Sequence, residues 1–187
     1  MSHKRSYNGI PAAEVKVFLE KKYLQYNNPS FIECDPISIP HRFTELRDRE
    51  ISGFLTAAIA WGRRDLILRS SSMLLERMDN APYEFIISAG EDEISCLSGF
   101  VHRTFNGTDC MYFIKGLRHI YSNYSSMEDV LLQGMSETRS LRDGLSHLRF
   151  VFFELPHDSR NEKHFADVTG GAAGKRLNMF LRIIKVA

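Results

Sequence analysis

The residues best able to do chemistry lie together near the end of this 187-residue chain, in the run VTGGAAGKRLNMFLR at 168–182. Glycines at 170, 171 and 174 permit a tight turn. A helix opening at Lys175 presents unpaired N–H groups and the positive end of its dipole, so Gly171 and Gly174 flank a natural place for a phosphate. The helix itself has two faces. Leu177, Phe180, Leu181 and Ile184 form an apolar stripe, while Lys175, Asn178, Met179, Arg182 and Lys185 form a largely basic one. A nucleotide P-loop needs glycine at 169 and serine or threonine at 176 to reach magnesium. Thr169 and Arg176 stand there, and residues 163–167 make a poor buried strand, which excludes that reading.

Other constellations carry less. His147, His157 and His164, with Glu154 and Asp158, invite a metal site, but their spacing matches no standard ligand pattern, so no metal is expected. Ser70, Ser71 and Ser72 fall inside a helical pattern and read as small contact residues, not nucleophiles. Cys34, Cys96 and Cys110 are widely spaced and odd in number, which excludes a disulfide framework and a zinc finger and fits a reducing cytoplasm. No cofactor motif occurs, and no cofactor is expected.

These residues must be positioned by helices. A hydrophobic fraction of 43% and a charged fraction of 25% are ordinary globular values. The longest apolar run, near 54–61, falls far short of the ~20 residues of a membrane span. Apolar spacing predicts helices over about 12–26, 48–60, 65–78, 82–88, 109–124, 126–134 and 140–153, with a short turn near 92–97. The first of these places Val15, Phe18, Leu19 and Lys22 on one stripe. No segment alternates as a strand should. Residues 27–47 hold Pro29, Pro36 and Pro40 and read as an ordered, well-punctuated loop. Thr108 or Asp109 is expected to cap the helix after the Asn106-Gly107 turn. The expectation is an all-α chain forming a single multi-helix domain over 1–187, with a hairpin-like turn and last helix at 168–187. Charge is uneven: of 24 basic and 23 acidic residues, nine basic and five acidic ones lie from residue 138 onward. A basic end suits a polyanion, and also simple solubility.

The segments DPISIPHRF (35–43), AWG (60–62), ERMDNAPY (76–83), GFVHRTFNGTD (99–109), FELPH (153–157) and KRLNMFLR (175–182) resemble an uncharacterised bacterial family of conserved hypothetical proteins, the family of domain of unknown function 2400. That family in turn resembles the helix-hairpin-helix DNA glycosylases in architecture. In those enzymes a Gly-x-Gly-x-Lys hairpin leads into a helix whose lysine attacks the sugar carbon of a flipped nucleotide. Gly171 matches the first glycine, Ala173 stands at the second with the glycine displaced to Gly174, and Lys175 matches the lysine. Lysine suits this chemistry because a desolvated amine with a lowered pKa forms a Schiff base. Flipping is needed because the glycosidic bond is unreachable inside a stacked duplex. Asn178 matches a residue often found one turn later.

The same resemblance turns the break at Trp61-Gly62-Arg63-Arg64 toward DNA, where an aromatic and two arginines suit stacking and phosphate contact. Arg176 and Arg182 extend the basic surface. The plain alternatives are that Lys175 is a solvated first-turn residue and that Trp61 completes the core, which for Trp61 is the favoured reading. The resemblance also implies an aspartate downstream of the hairpin helix. The chain ends at Ala187 without one, so it is expected to be truncated and its catalysis reduced. The functional expectation is a glycosylase-like DNA-binding protein with Lys175 as nucleophile. The alternative is a non-catalytic nucleic-acid-binding or protein-interaction module.

Overall fold

The computed structural model describes residues 10–185, and its backbone groups into two compact units, Met1–Asp35 and Pro36–Ala187. The first unit holds α1 (Ala12–Tyr26) and α2 (Pro29–Ile32). Pro11 precedes α1, and the Asn28 side chain caps α2 by accepting from the Phe31 amide at 3.2 Å. Helical spacing made α1 a helix but did not bury its stripe: no residue of α1 is buried, and Phe18 and Leu19 are exposed.

The second unit is built around α3 (Leu46–Ile59), every residue of which from Glu50 onward is buried. Around it lie α4 (Arg64–Glu76), α5 (Pro82–Ser88), α7 (Gly107–Asn123), α9 (Leu141–Phe152) and α11 (Lys175–Lys185). Short α6 (Glu91–Ser95) and α10 (Ser159–Glu162) link these, and α8 (Met127–Met135) pairs with α9. Two glycines permit that close pairing: a Cβ on Gly134 would meet the His147 Cβ at 2.5 Å, and one on Gly144 the Leu131 carbonyl at 2.8 Å. Phe54 of α3 is the aromatic centre, with its ring 5.3–5.8 Å from Phe113, Phe152, Phe165 and Phe180.

The proline-rich stretch contains α2 and two 3-10 turns, Pro36–Ser38 and Pro40–Arg42, with Ile39 fully buried between them. Two further features depart from the sequence reading. A two-residue antiparallel hairpin, β1 (Val101–His102) and β2 (Phe105–Asn106), closes through Arg103 at φ +58°. It is too short to leave a period in the sequence. The cap of α7 is Asn106, whose side chain accepts from the Asp109 amide while Asp109 accepts from the Asn106 amide, a reciprocal box in place of a Thr108 or Asp109 cap. Ile184 and Lys185 have side chains outside the described residues. All three cysteines are free, and no described helix is long and apolar enough to cross a membrane.

Glu50 shows how α8 is held. Its buried carboxylate accepts from the Tyr121 hydroxyl (2.8 Å) and from the Met127 and Glu128 amides (3.1 and 3.3 Å), closing the N-terminus of α8 from another helix. Burial pushes this carboxyl above its ordinary range, and the three hydrogen bonds only partly offset that. A raised folded pKa means the folded state holds the proton more tightly than the unfolded one. The resulting stability is full below the unfolded value of about 4.3 and is lost as pH rises through the folded value. Glu50→Gln should remove that fall. Denaturant unfolding at several pH values from about 4.5 to 7.5 should show the variant gaining on the parent as pH rises. Parallel profiles for the two proteins would contradict the assignment.

Candidate functional site

The glycine turn is fixed by one carboxylate and one arginine. Asp167 accepts from the Thr169 amide (2.9 Å), the Thr169 hydroxyl (2.6 Å) and the Gly170 amide (3.1 Å), and these bonds hold its carboxyl below the ordinary range. Arg142 of α9 donates to the Val168 and Thr169 carbonyls at 3.3 and 3.1 Å. Gly171 and Gly174 have φ of +89° and +58°, a region that favours glycine. The amide side chain of Asn178 donates to the Ala173 carbonyl at 3.2 Å. The residue one turn into the helix therefore ties down the loop before it.

Leu177 and Phe180 bury α11 against the core, leaving Lys175, Asn178 and Arg182 exposed. Arg176 lies between the two faces. Its guanidinium donates to the Ala58 carbonyl at the end of α3 and to the Lys163 carbonyl, the latter at 3.4 Å. Burial lowers its pKa, but an arginine stays charged throughout the physiological range.

Arg176 thus touches the exit of α3. Gly62, at φ +108°, turns the chain away from the helix, and Trp61 is half-buried and outside the apolar core. The indole instead lies under the guanidinium of Arg103, 4.7 Å from the ring centroid. A side chain at position 62 would not allow this, since its Cβ would fall 2.5 Å from Arg103 Nη1. His102, next to Arg103, binds Ser70 Oγ at 2.8 Å and the Trp61 carbonyl at 3.4 Å, so the hairpin is pinned to α4 and to Trp61.

The third wall comes from α10 and the residues after it. Asp109, fully buried, accepts from Arg160 at 3.1 and 2.9 Å, from Asn161 at 2.9 Å and from the Asn106 amide at 3.0 Å. Burial alone would raise this carboxyl, but the Asn106 amide and the Arg160 guanidinium outweigh it and hold it below the ordinary range. Arg160 also donates to the Thr104 carbonyl at 3.4 Å, linking this wall to the hairpin. His164 Nε2 sits 3.3 Å from Asp109 Oδ2, and burial, with the nearby Lys163 and Arg176 cations, lowers its pKa against the pull of that carboxylate, leaving a neutral imidazole at neutral pH.

The three walls enclose an open cleft of about 350 Å³ lined by Trp61, Thr104, Lys163, His164 and Arg176, with Arg103 stacked on Trp61. That volume suits a small organic group. None of these six residues is acidic. Among the described residues three buried side-chain polar atoms lack a hydrogen-bond partner, and two of them, Trp61 Nε1 and His164 Nε2, belong to this cleft. Unsatisfied groups of this kind concentrate where a ligand or a functional strain accounts for them.

Of the residues singled out in the sequence, Trp61 and Arg176 meet in the cleft, and Lys175 and Gly174 adjoin it along the chain. Gly171 is exposed in the turn, and Arg64 and Arg182 are exposed on their helices. Arg63 is engaged elsewhere, in a two-point pair with Asp65 at 2.8 and 3.1 Å. The three histidines do not converge, and among the described residues no group of His, Cys, Asp or Glu is placed to hold a metal ion. Sequence reasoning passed over Arg103, Thr104 and Lys163. The signal for Arg103 lay in Gly62, whose missing side chain makes room for it.

No curated protein and no solved structure matches the chain. A family profile does match, over residues 35–184, a span that takes in every wall of the cleft, and the chain belongs to the family described as Protein of unknown function (DUF2400).

Proposed function

We propose that this protein binds nucleic acid at the cleft between the exit of α3, the β1–β2 hairpin and the head of α11. The observation that carries this reading is the Arg103–Trp61 stack set beside Lys163 and Arg176, without a carboxylate among the lining residues. Aromatic and guanidinium planes accept bases, and neighbouring cations accept phosphates. The glycine turn feeding a helix that opens at Lys175 agrees with a resemblance to helix-hairpin-helix DNA glycosylases, and under that resemblance Lys175 is the candidate nucleophile. Lys175 is exposed, so a substrate can reach its amine from solvent.

Binding of duplex and single-stranded DNA should weaken steeply with salt, and Lys163→Ala should reduce the log–log slope by about one. Titrations at three or more salt concentrations measure this, and salt-independent or absent binding to any DNA or RNA removes the reading. Lys175 is tested separately. Borohydride should trap the protein on abasic or oxidised DNA, and Lys175→Ala should abolish the trapped product. Failure across a broad lesion panel leaves a binding protein without lyase chemistry.

A further inference from the structure

The cleft is small, and its two kinds of lining group are side by side. One wall is the Trp61 indole, over which the exposed Arg103 guanidinium lies 4.7 Å from the ring centroid. Beside it stand the exposed Lys163 and the guanidinium of Arg176, held by two backbone carbonyls. A single planar group with one anionic substituent satisfies both at once. A duplex does not, because its bases are hidden in the stack and only its phosphates can reach the cations.

Two features at this spot cost free energy. Arg103, which is not a glycine, holds a left-handed backbone at φ +58°. Trp61 Nε1 is buried without a hydrogen-bond partner, while His164 Nε2 has only its 3.3 Å contact with the Asp109 carboxylate. His164 is 5% exposed and lines the cleft. Such costs persist when the surrounding structure enforces them, and they gather at ligand clamps. Here the Asp109–Arg160 pair, the His102 bonds and the buried face of α11 enforce them.

We propose that the cleft is a site for one nucleotide unit, its base stacked on Arg103 over Trp61 and its phosphate held between Lys163 and Arg176. This rests on the nucleic-acid reading above and narrows it to the unpaired nucleotide as the recognised unit, whether free or within a single strand.

Trp61 is the only tryptophan in the chain, so its fluorescence reports on this cleft alone. The full chain is titrated with dAMP, adenosine, inorganic phosphate, a single-stranded oligodeoxyadenylate and a blunt duplex. Saturable quenching or shift by dAMP and by the single strand is expected, with the duplex giving little change in Trp61 emission. Arg103→Ala should weaken the dAMP response about tenfold by removing the stacking plane. Lys163→Ala should weaken dAMP several-fold and leave adenosine unaffected, because only the former carries the phosphate. Response to dAMP but not to the strand assigns the site to free nucleotides, and response to the strand at far lower concentration assigns it to polymer; both uphold a one-nucleotide site. If DNA binds in a salt-dependent manner while Trp61 emission ignores dAMP and single strands alike, the one-nucleotide site is overturned and the broader reading survives. If neither DNA nor dAMP binds, both fall. Equal dAMP responses in the parent, Arg103→Ala and Lys163→Ala also overturn the site.

Discussion

Replacing Asp109 by alanine is expected to cost about 3 kcal/mol of folding stability, read as a lower denaturant midpoint at unchanged slope. The carboxylate is fully buried and is the acceptor for Arg160, Asn161 and the Asn106 amide at once. Removing one side of a buried ion pair typically costs about 3–5 kcal/mol because the other charge is left uncompensated. The lower end applies because the Arg160 side chain is 35% exposed and can turn to water, whereas Asn161 is 1% exposed and cannot. The pH dependence has a definite sign. A carboxyl held below its ordinary range contributes stability that is present above the unfolded pKa, about 3.9, and is lost as pH falls through the lower folded value. The Asp109 contribution therefore disappears on the acid side, opposite to the trend from Glu50. A functional consequence accompanies the loss of stability. Arg160 also holds the Thr104 carbonyl, so Asp109→Ala should loosen the hairpin and α10 together and change the emission of Trp61. A loss below about 1 kcal/mol with unaltered Trp61 emission would rule out this role for Asp109.

Phe54→Ala is expected to cost about 4 kcal/mol, within the range for deleting a buried aromatic side chain. The ring contacts Phe113, Phe152, Phe165 and Phe180, so its removal opens a cavity bordered by α7, α9, α11 and the segment before the glycine turn. Four stiff rings cannot close such a space without leaving their rotamers, and little relaxation is available. The damage should spread along α11, because Phe180 is one of the few residues that bury this helix. Amide exchange in α11 should quicken more than in α8, which packs mainly on α9. Phe54→Leu, which keeps most of the volume, should cost less than half as much. Uniform acceleration across all helices would show global destabilisation without a special link between Phe54 and α11.

Much of the helical layout is legible in the order of the residues. Pro82 and the apolar spacing after it place α5 at Pro82–Ser88, and α3, α4, α7, α8 and α9 begin and end within two residues of the spacing-based bounds. Periodicity works here because α4, α5, α7, α8 and α9 each bury one face, and the pattern is written within ten or so consecutive residues. The glycines at 171 and 174 are legible for a related reason: positive φ is a local demand that glycine meets. Burial is less legible. The stripe on α1 has helical spacing and remains exposed, since spacing specifies a face and not what covers it.

The amino-acid order thus determined the helices, the turn before Lys175 and the candidacy of Trp61 and Arg176. Only the tertiary structure decided what surrounds them. Arg103 reaches Trp61 across 42 positions of sequence, Arg160 reaches Asp109 across 51, and Arg176 reaches Ala58 across 118. Contacts of that separation leave no period and no motif, because they follow from how the whole core closes around Phe54. The same closure brought Lys163 and His164 to the cleft and left Lys175 exposed beside Arg176 at the head of the last helix.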